Sequence, residues 1–223
     1  MKINHIHLES CSSTQEKMKD LNVSNLNTLV TCDNQTKGYG RNNNIWDFIG
    51  NSLACSFTLD PHIPILLTTI EIAVIIKMFF QKKITTKETI KLKWPNDIFF
   101  NDKKCGGIII DLISIGNNQK AVIGLGLNFS SNSKYSFLPI DISNLLIKDL
   151  AYEMYSYILN NRLETNNIIK MFNNDCLHMN QEVIIDKQSG KFIGLSENGE
   201  ALLLSNEKII TVTTGRLNIN SNL

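Results

Sequence analysis

The sequence predicts an α+β fold, and three patterns support this prediction. Short β-like runs alternate with turn residues through roughly the first 130 residues. One long segment, residues 64–82, keeps the apolar spacing of a helix. After residue 180, four short β-like runs recur about every ten residues, which is typical of a small barrel.

The first part of the chain predicts three strands and one short helix. The run Ser12-Ser13-Thr14 offers hydroxyl groups at a helix start, and residues 16–20 continue the helix. Residues 35–50 are polar and rich in glycine and asparagine, which predicts a long loop. The strands are expected at residues 3–9, 28–32 and 52–59.

The rest of the chain predicts further strands on both sides of a helical region. The strands expected after the helix at 64–82 are residues 92–94, 98–100, 106–113 and 121–129, the last two as a central hairpin. Helical spacing returns between residues 140 and 176. Beyond His178 the short strands are expected at residues 183–185, 191–195, 201–204 and 209–213. We therefore predict two domains, residues 1–178 and 179–223.

Composition narrows the class of protein. Lys and Arg number 22 against 21 Asp and Glu, a formal net charge of +1, which does not support nucleic-acid binding by bulk electrostatics. The five cysteines are scattered without a C-x-x-C pair, so we expect reduced thiols and no zinc site. The N-terminus lacks the apolar run of a signal peptide, and the longest apolar stretch, residues 63–80, contains Glu71 and Lys77. We therefore expect a cytoplasmic protein without a membrane partner.

The polar loop carries the parts of an anion-binding site. It reads Gln35-Thr36-Lys37-Gly38-Tyr39-Gly40-Arg41, and Trp46 follows five residues after Arg41. The two glycines let backbone N–H groups approach a ligand, Arg41 can hold a phosphate or carboxylate, and Trp46 can stack on a base. The alternative is a flexible surface loop with a packing tryptophan. No third glycine at dinucleotide-fold spacing and no Gly-Lys-Ser/Thr run is present, so the loop does not decide alone.

Two further segments place glycines where they weaken a strand. The turn Lys93-Trp94-Pro95-Asn96-Asp97 is followed by Lys104-Cys105-Gly106-Gly107 at the start of an apolar run. A ligand lying against these two glycines, with Lys104 beside it, explains their presence, whereas the alternative is an ordinary turn with solvated lysines. The run Gly124-Leu125-Gly126-Leu127-Asn128 repeats the pattern, and its alternative is a bulge or tight sheet packing.

Five motifs thus follow one another along the chain: Ser13-Thr14-Gln15, the Gln35–Arg41 loop with Trp46, Lys93-Trp94-Pro95-Asn96-Asp97, Lys104-Cys105-Gly106-Gly107-Ile108 and Gly124-x-Gly126-x-Asn128. In this order and spacing they resemble the biotin–protein ligase (biotin–[acetyl-CoA-carboxylase] ligase) family. The resemblance implies a mixed, largely antiparallel sheet flanked by helices, of the class II synthetase type, with a C-terminal SH3-like β-barrel.

The resemblance also implies an ATP-dependent, two-step reaction with Mg²⁺ assisting. The biotin carboxylate attacks the α-phosphate of ATP to give biotinyl-5′-AMP and pyrophosphate. The ε-amine of a lysine then attacks the mixed anhydride. That lysine belongs to the biotin carboxyl carrier protein of acetyl-CoA carboxylase or of another biotin-dependent carboxylase. Some relatives dimerise through a sheet edge, so the resemblance is compatible with a homodimer.

Residue roles follow by matching position. Hydrogen bonds to biotin are expected from Ser13, Thr14 and Gln35, with backbone contacts from Gly38 and Gly107. The carboxylate and the phosphate are expected to bind Arg41 and Lys104. Packing over adenine is expected from Trp46, with three polar side chains near the nucleotide: Lys93, Asn96 and Asn128. Asp97 is the candidate for positioning or deprotonating the acceptor lysine.

The sequence departs from the family in its loop and at its start. Tyr39, Asn42 and Asn44 stand at positions that are often cationic in the family, so we expect weaker electrostatic retention of ATP or of the adenylate. Some family members carry a helix-turn-helix domain before the catalytic domain. Here the first predicted strand begins within ten residues of Met1, so we expect no DNA partner.

Two other functions stay open at this point. A lipoate–protein ligase or octanoyltransferase would share the fold, but its Arg-Arg-x-Ser-Gly-Gly-Gly signature is not found in the chain. A non-catalytic biotin-binding module would explain why the loop has fewer cations than is usual in the family. The retention of both Arg41 and Lys104 argues against it.

Overall fold

The computed structural model describes residues 2–21, 27–47, 50–115, 118–132, 134–143 and 145–219. These residues form a seven-stranded sheet, a five-stranded sheet and four α-helices. The predicted α+β class is confirmed. Within this part of the chain, no helix is both long and apolar enough to cross a membrane.

The large sheet is mixed and mostly antiparallel, as predicted. Its strands are β1 (Ile3–Cys11), β2 (Asn27–Gln35), β3 (Ser52–Leu59), β4 (Lys91–Lys93), β5 (Asp97–Phe100), β6 (Lys103–Ile115) and β7 (Asn118–Asn128). They lie in the order β1-β2-β3-β7-β6-β5-β4, and β1 runs parallel to β2 while the other described neighbours are antiparallel. The predicted central hairpin is β6–β7, but its turn at residues 116–117 lies outside the described residues.

Helices cover both faces of this sheet. They are α1 (Thr14–Asp20), α2 (Ile65–Gln81), α3 (Ile147–Asn160) and α4 (Thr165–Asp175). Successive strand residues point to opposite faces, and this separates Leu29 from Val30. Leu29 joins the large core that contains α2, α3 and α4, whereas Val30 packs with Met18 of α1. The short helix α1 therefore lies alone on the face opposite the main core.

Helical structure begins later than the sequence predicts. The prediction from residue 140 is wrong for the described residues before α3, which have no helical structure. The carboxylate of Asp141 accepts hydrogen bonds from the backbone amide of Ser143 (3.0 Å) and from its hydroxyl (2.6 Å). Such a local side-chain cap competes with helical hydrogen bonding.

The charge inside α2 is explained by a buried ion pair. Glu71 is fully buried, and its carboxylate oxygens lie 2.8 Å from Nε and 2.8 Å from Nη2 of Arg162. The backbone amide of Leu163 donates to the same carboxylate at 2.8 Å. A buried carboxylate is tolerated when it is paired and hydrogen-bonded in this way. Glu71 thus ties the α3–α4 connection to α2.

The second sheet contains the four short strands that the sequence predicts and one more. It comprises β8 (Glu182–Ile185), β9 (Gln188–Leu195), β10 (Ala201–Ser205), β11 (Lys208–Val212) and β12 (Leu217–Ile219), in the antiparallel order β11-β10-β9-β8-β12. Among the described residues, the outer strands β11 and β12 do not pair with each other. The antiparallel sheet fits the predicted small β domain, but closure into the predicted SH3-like barrel is not confirmed among the described residues.

The two sheets share one apolar core, and this brings the second sheet close to the first. Leu92 of β4 and Phe192 of β9 belong to the same buried cluster. The indole Nε1 of Trp94 donates to the carbonyl oxygen of Gly199 at 3.0 Å, within the protein interior. The division at residues 178 and 179 stays a prediction.

Candidate active site

A cavity of about 860 Å³ lies where the large sheet, the Gly38–Trp46 loop and the β11–β12 connection meet. It collects side chains from segments that are far apart in the sequence. Ten of the twelve predicted site residues line it: Ser13, Thr14, Gln35, Arg41, Trp46, Lys93, Asn96, Asp97, Lys104 and Gly107.

Neutral polar side chains form the bottom of the cavity, and we call them the polar floor: Ser13, Thr14, Gln15, Gln35 and Ser56. Ser13 caps α1, since its hydroxyl accepts from the backbone amide of Gln15 at 3.2 Å. The backbone amide and the hydroxyl of Thr14 both donate to Oε1 of Gln35, at 2.9 and 3.2 Å.

The floor continues into the sheet through Ser56. Its hydroxyl lies 2.9 Å from Oε1 of Gln15 and 3.0 Å from Oγ1 of Thr14. The side-chain amide nitrogen Nε2 of Gln15 donates to the carboxylate of Asp111 at 2.9 Å and to the backbone carbonyl oxygen of Val122 at 3.0 Å. Four of the five floor residues are at most 3% exposed, so their polar atoms are satisfied within the protein, away from bulk water.

Positive charges surround the upper part of the cavity, and we call them the cationic rim: Arg41, Lys93, Lys104, Lys134 and Arg216. Arg41 reaches across the cavity. One guanidinium nitrogen donates to Oδ1 of Asn96 at 3.3 Å, and the other donates to the hydroxyl of Thr214 at 3.3 Å. Asn96 is itself fixed, because its amide donates to the carbonyl oxygen of Ile108 at 2.8 Å.

Lys104 and Asp97 form an ion pair inside the cavity. Their Nζ and Oδ1 atoms are 2.7 Å apart, and the two side chains are 31% and 22% exposed. Gly107 makes this approach easy, since a Cβ there would lie 3.3 Å from the Lys104 ammonium. The predicted cation and the predicted acceptor-positioning carboxylate are thus neighbours.

The facing glycines of β6 and β7 form a trough in the sheet. Gly107 pairs with Gly126 across the hairpin. Trp46 lies against this trough, and a Cβ at Gly126 would come within 2.4 Å of its indole ring. The indole Nε1 is buried and has no hydrogen-bond partner among the described residues. Gly106 needs no ligand to explain it, because Leu127 fills the space of a Cβ there.

Burial lowers the pKa of one rim residue, Lys93, and of His178 behind it. Partial burial lowers the pKa of the Lys93 ammonium; the Asp97 carboxylate opposes this shift, while Arg216 and Lys104 add to it. Behind Lys93, burial lowers the pKa of His178 to about 4, and the Lys93 charge adds to that shift. His178 is therefore neutral at physiological pH, whereas the rim in front of it is charged.

Two predicted site residues lie outside the cavity lining. Gly38 is buried at the start of the Gly38–Trp46 loop, where its carbonyl oxygen accepts from the backbone amide of Trp46 at 2.9 Å. Asn128 is 1% exposed, and its Oδ1 accepts from the hydroxyl of Ser52 at 3.2 Å. Both residues support the walls of the cavity.

Sequence reasoning missed several lining residues. Ser56 is one of three hydroxyl residues in β3, with Ser52 and Thr58, so polarity within the strand does not by itself single it out as a lining residue. Lys134 and Tyr135 follow β7 without any motif, and Arg216 comes from the far end of the chain. The described residues contain no group of three or more His, Cys, Asp or Glu side chains that could hold a metal ion.

Comparison with known proteins gives one family. A sequence model described as the "Biotin/lipoate A/B protein ligase family" matches residues 8–128. The chain is 35% identical over 146 residues to the bifunctional ligase/repressor BirA of Bacillus subtilis, covering 63% of this chain and 44% of that protein. It is 29% identical over 130 residues to biotin–protein ligase 2 of Arabidopsis thaliana, covering 56% of this chain and 38% of that protein. The chain therefore spans about two fifths of the length of these curated relatives.

Solved structures match over nearly the whole chain. The biotin protein ligase from Aquifex aeolicus, solved in complex with biotin and ATP, has a TM-score of 0.78 and 25% identity, over 97% of this chain and 98% of that one. The biotin acetyl coenzyme A carboxylase synthetase of Helicobacter pylori, solved with bound biotinylated ATP, has a TM-score of 0.74 over 94% of this chain and 100% of that one. At 22% identity, the second likeness shows the fold alone.

Proposed function

The chain belongs to the biotin/lipoate A/B protein ligase family, and on that premise we propose that it is an ATP-dependent biotin–protein ligase. It activates biotin to biotinyl-5′-AMP and then transfers biotin to a lysine of a carrier domain. In the first step a carboxylate oxygen of biotin bonds to the α-phosphorus of ATP, and pyrophosphate leaves. In the second step the lysine nitrogen bonds to the acyl carbon, AMP leaves and the amine loses a proton.

The observation that carries this proposal is the contrast of floor and rim within one cavity. A buried, neutral, hydrogen-bonding floor suits the uncharged ureido group of biotin, which offers two N–H donors and one carbonyl acceptor. Ser13, Thr14 and Gln35 supply the matching groups. A charged group would be costly there, so the biotin carboxylate points toward the rim.

The rim suits the charge that develops during activation. Arg41 and Lys104 line the cavity above the floor, where the carboxylate and the α-phosphate would meet. Fixed cations stabilise the additional negative charge of a pentavalent phosphorus without having to reorganise. Trp46 packs over the adenine, with Lys93 and Asn96 near the nucleotide. Gly38 and Asn128 contribute through the residues that they support.

Mg²⁺ would enter with the nucleotide. This ion is usually held by phosphate oxygens together with one or two carboxylates, rather than by a dedicated protein cage. Asp47 is a carboxylate of the cavity lining and fits that pattern. When bound, the ion neutralises phosphate charge next to the cationic rim.

Asp97 is proposed to orient or deprotonate the acceptor lysine. Its pairing with Lys104 puts a carboxylate next to the proposed site of the mixed anhydride. Replacing Asp97 with Asn should leave adenylate formation within about threefold of wild type and slow transfer to the carrier by about 10². Single-turnover transfer from isolated enzyme–adenylate complex measures the second step separately. Equal losses in both steps would refute this role.

The partner and the setting are part of the proposal. We propose the biotin carboxyl carrier protein of acetyl-CoA carboxylase, or of another biotin-dependent carboxylase, as the acceptor. The protein would act in the cytoplasm, without a DNA or membrane partner, and could form a homodimer. The second sheet is proposed to be a variant of the SH3-like module.

Incubation of the purified chain with biotin, ATP, Mg²⁺ and a biotin-carrier domain tests the proposal. We expect biotin on the carrier lysine, dependent on ATP and absent when that lysine is replaced by arginine. Modification by lipoate in place of biotin would move the chain to the lipoate branch. Saturable binding of biotin without any modification would favour a non-catalytic module.

A further inference from the structure

The loop over the cavity is tied to helix α1 by one tyrosine. The hydroxyl of Tyr39 donates to the carboxylate of Glu16. The ammonium of Lys19 lies 3.1 Å from that hydroxyl and 3.1 Å from the same carboxylate. We call these three side chains the Tyr39 latch. It joins the start of the Gly38–Trp46 loop to Glu16 and Lys19 of α1.

The latch continues into the polar floor. The Lys19 ammonium also lies 2.9 Å from the Asp111 carboxylate of β6. The same carboxylate accepts from the side-chain amide of Gln15, which contacts Ser56 at the bottom of the cavity. A continuous series of hydrogen bonds and ion pairs therefore runs from the Tyr39 hydroxyl to the residues that line the floor.

The charges of the latch strengthen its hydrogen bonds. The Tyr39 hydroxyl, followed by Lys19, holds the pKa of the Glu16 carboxyl below its ordinary value. Burial opposes charge on Lys19, yet its bonds to Asp111, Tyr39 and Glu16 together raise the pKa of its ammonium. Both groups are ionised at neutral pH, and hydrogen bonds to ionised partners are stronger than those between neutral groups.

All three positions at which the loop lacks the family's frequent cations have a structural role here. Tyr39 forms the latch. Asn42 adopts a left-handed backbone conformation (φ 55°), which asparagine tolerates better than most residues. The side-chain amide of Asn44 donates to the backbone carbonyl oxygen of Arg41 at 2.7 Å. The backbone carbonyl oxygen of Asn44 accepts from the backbone amide of Gly40, also at 2.7 Å. These three residues therefore stabilise the loop within the protein, where cations would contact the ligand.

We propose that Tyr39 is a positioning residue that holds the Gly38–Trp46 loop over the cavity before any ligand binds. The loop carries Arg41 and Trp46, so a loop already in place presents both to the ligand without an ordering cost at the moment of binding. The latch thus compensates for the missing loop cations by preorganisation. The identity of the ligand, and only that, rests on the proposed function.

Hydrogen exchange of the ligand-free protein tests the latch directly. Three loop amides donate within the loop: those of Gly40, Asn44 and Trp46. In wild type these amides should be protected. In Tyr39→Phe, which loses the contacts of the hydroxyl with Glu16 and Lys19, these amides should exchange about tenfold faster, while amides of β3 and β7 keep their rates. Unprotected loop amides in wild type, or unchanged rates in the variant, would overturn the proposal.

Two further variants make the exchange experiment specific. Tyr152→Phe removes a hydroxyl from a tyrosine on α3 that is 42% exposed and does not line the cavity, so it should leave the loop amides unchanged. Glu16→Ala removes the acceptor of the Tyr39 hydroxyl but leaves its contact with Lys19, so it should speed exchange no more than Tyr39→Phe does, with the double variant no faster than Tyr39→Phe alone. Additive effects would show that the two side chains act independently and would contradict a latch.

Kinetics then test whether the latch positions the site. Tyr39→Phe should raise the KM for biotin and the release rate of the adenylate about five- to tenfold, with kcat for adenylate formation unchanged. A faster-exchanging loop with unchanged KM and unchanged release would refute the positioning role. A protected, Tyr39-dependent loop in a protein that makes no adenylate would leave the latch standing and refute the proposed function.

Discussion

The polar floor and the cationic rim belong to one cavity but differ in burial, charge and origin. The floor is neutral, and Ser13, Thr14, Gln15 and Ser56 are at most 3% exposed. The rim is charged and open, with Lys104 31% and Lys134 67% exposed. A buried neutral network recognises a group by hydrogen-bond pattern, whereas exposed cations attract and stabilise charge. Under the proposed function, recognition and activation are divided between two layers of the same site.

The largest test of this division removes a rim cation. Lys104→Met should slow adenylate formation by roughly 10²–10³, since it deletes a preorganised charge next to the reacting phosphate. Binding of biotin without ATP, measured by calorimetry, should change less than tenfold. Lys103→Met is the matched control, because Lys103 is exposed on the same strand and does not line the cavity. A loss below threefold for Lys104→Met would contradict the assignment of the rim.

The neutral side chain behind the rim should appear in the pH dependence of stability. Because the folded-state pKa of His178 is about 4, below the unfolded value of 6.5, the unfolded state takes up the proton first as pH falls. Its contribution is complete above pH 6.5 and is lost as pH falls toward 4. Between pH 7 and pH 4 this loss amounts to about 3 kcal/mol. Denaturant unfolding at the two pH values measures it.

His178→Gln provides the comparison for that measurement. It keeps a polar, neutral side chain but does not titrate in this range. The decrease in unfolding free energy between pH 7 and pH 4 should be smaller in the variant by about 3 kcal/mol. An identical decrease in the two proteins would show that His178 is not the group that titrates.

A smaller effect is expected from the floor. Ser56→Ala removes the hydroxyl that contacts Gln15 and Thr14, so it should raise the KM for biotin about tenfold and leave the KM for ATP unchanged. Initial-rate kinetics with each substrate varied in turn separate the two constants. If the KM for ATP rose as much as the KM for biotin, the floor and the rim would not be functionally distinct.

The smallest effect is expected from restoring a cation to the Gly38–Trp46 loop. Asn44→Arg restores a cation at the border of the rim and should lower the KM for ATP about two- to fivefold, as expected for a partly exposed charge. Release of biotinyl-5′-AMP should slow as well, and both effects should weaken at high salt. An unchanged KM together with unchanged release would remove electrostatic retention from the account.

The sequence predicted the parts of the site that are encoded locally. Ser13 and Thr14 begin a helix, Arg41 follows two glycines, and Asp97 ends a β-turn, so each carries a signal in its own neighbourhood. Ten of twelve predicted residues line one cavity because the large sheet brings together the start of α1, the loop after β2 and the β4–β6 segment. The strands and helices were found for the same reason, since their apolar periodicity is local.

The remaining features depend on contacts between distant segments. Asp111 accepts a hydrogen bond from the floor residue Gln15, which is distant in the sequence, and Arg216 reaches the rim only because the second sheet packs on the first. Strand spacing does not report whether the outer strands β11 and β12 pair, and among the described residues they do not. The late start of α3 depends on a side-chain cap at Asp141, which periodicity does not report.

The most direct test of the central claim is formation of biotinyl-5′-AMP in the absence of any carrier. Purified protein is incubated with biotin, Mg²⁺ and ATP labelled at the α-phosphate, and the products are separated. The account predicts a labelled biotinyl adenylate and one pyrophosphate for each adenylate formed, with neither product when lipoate replaces biotin. No adenylate above the protein-free control would contradict it, because the rim would then lie beside a biotin carboxylate without activating it.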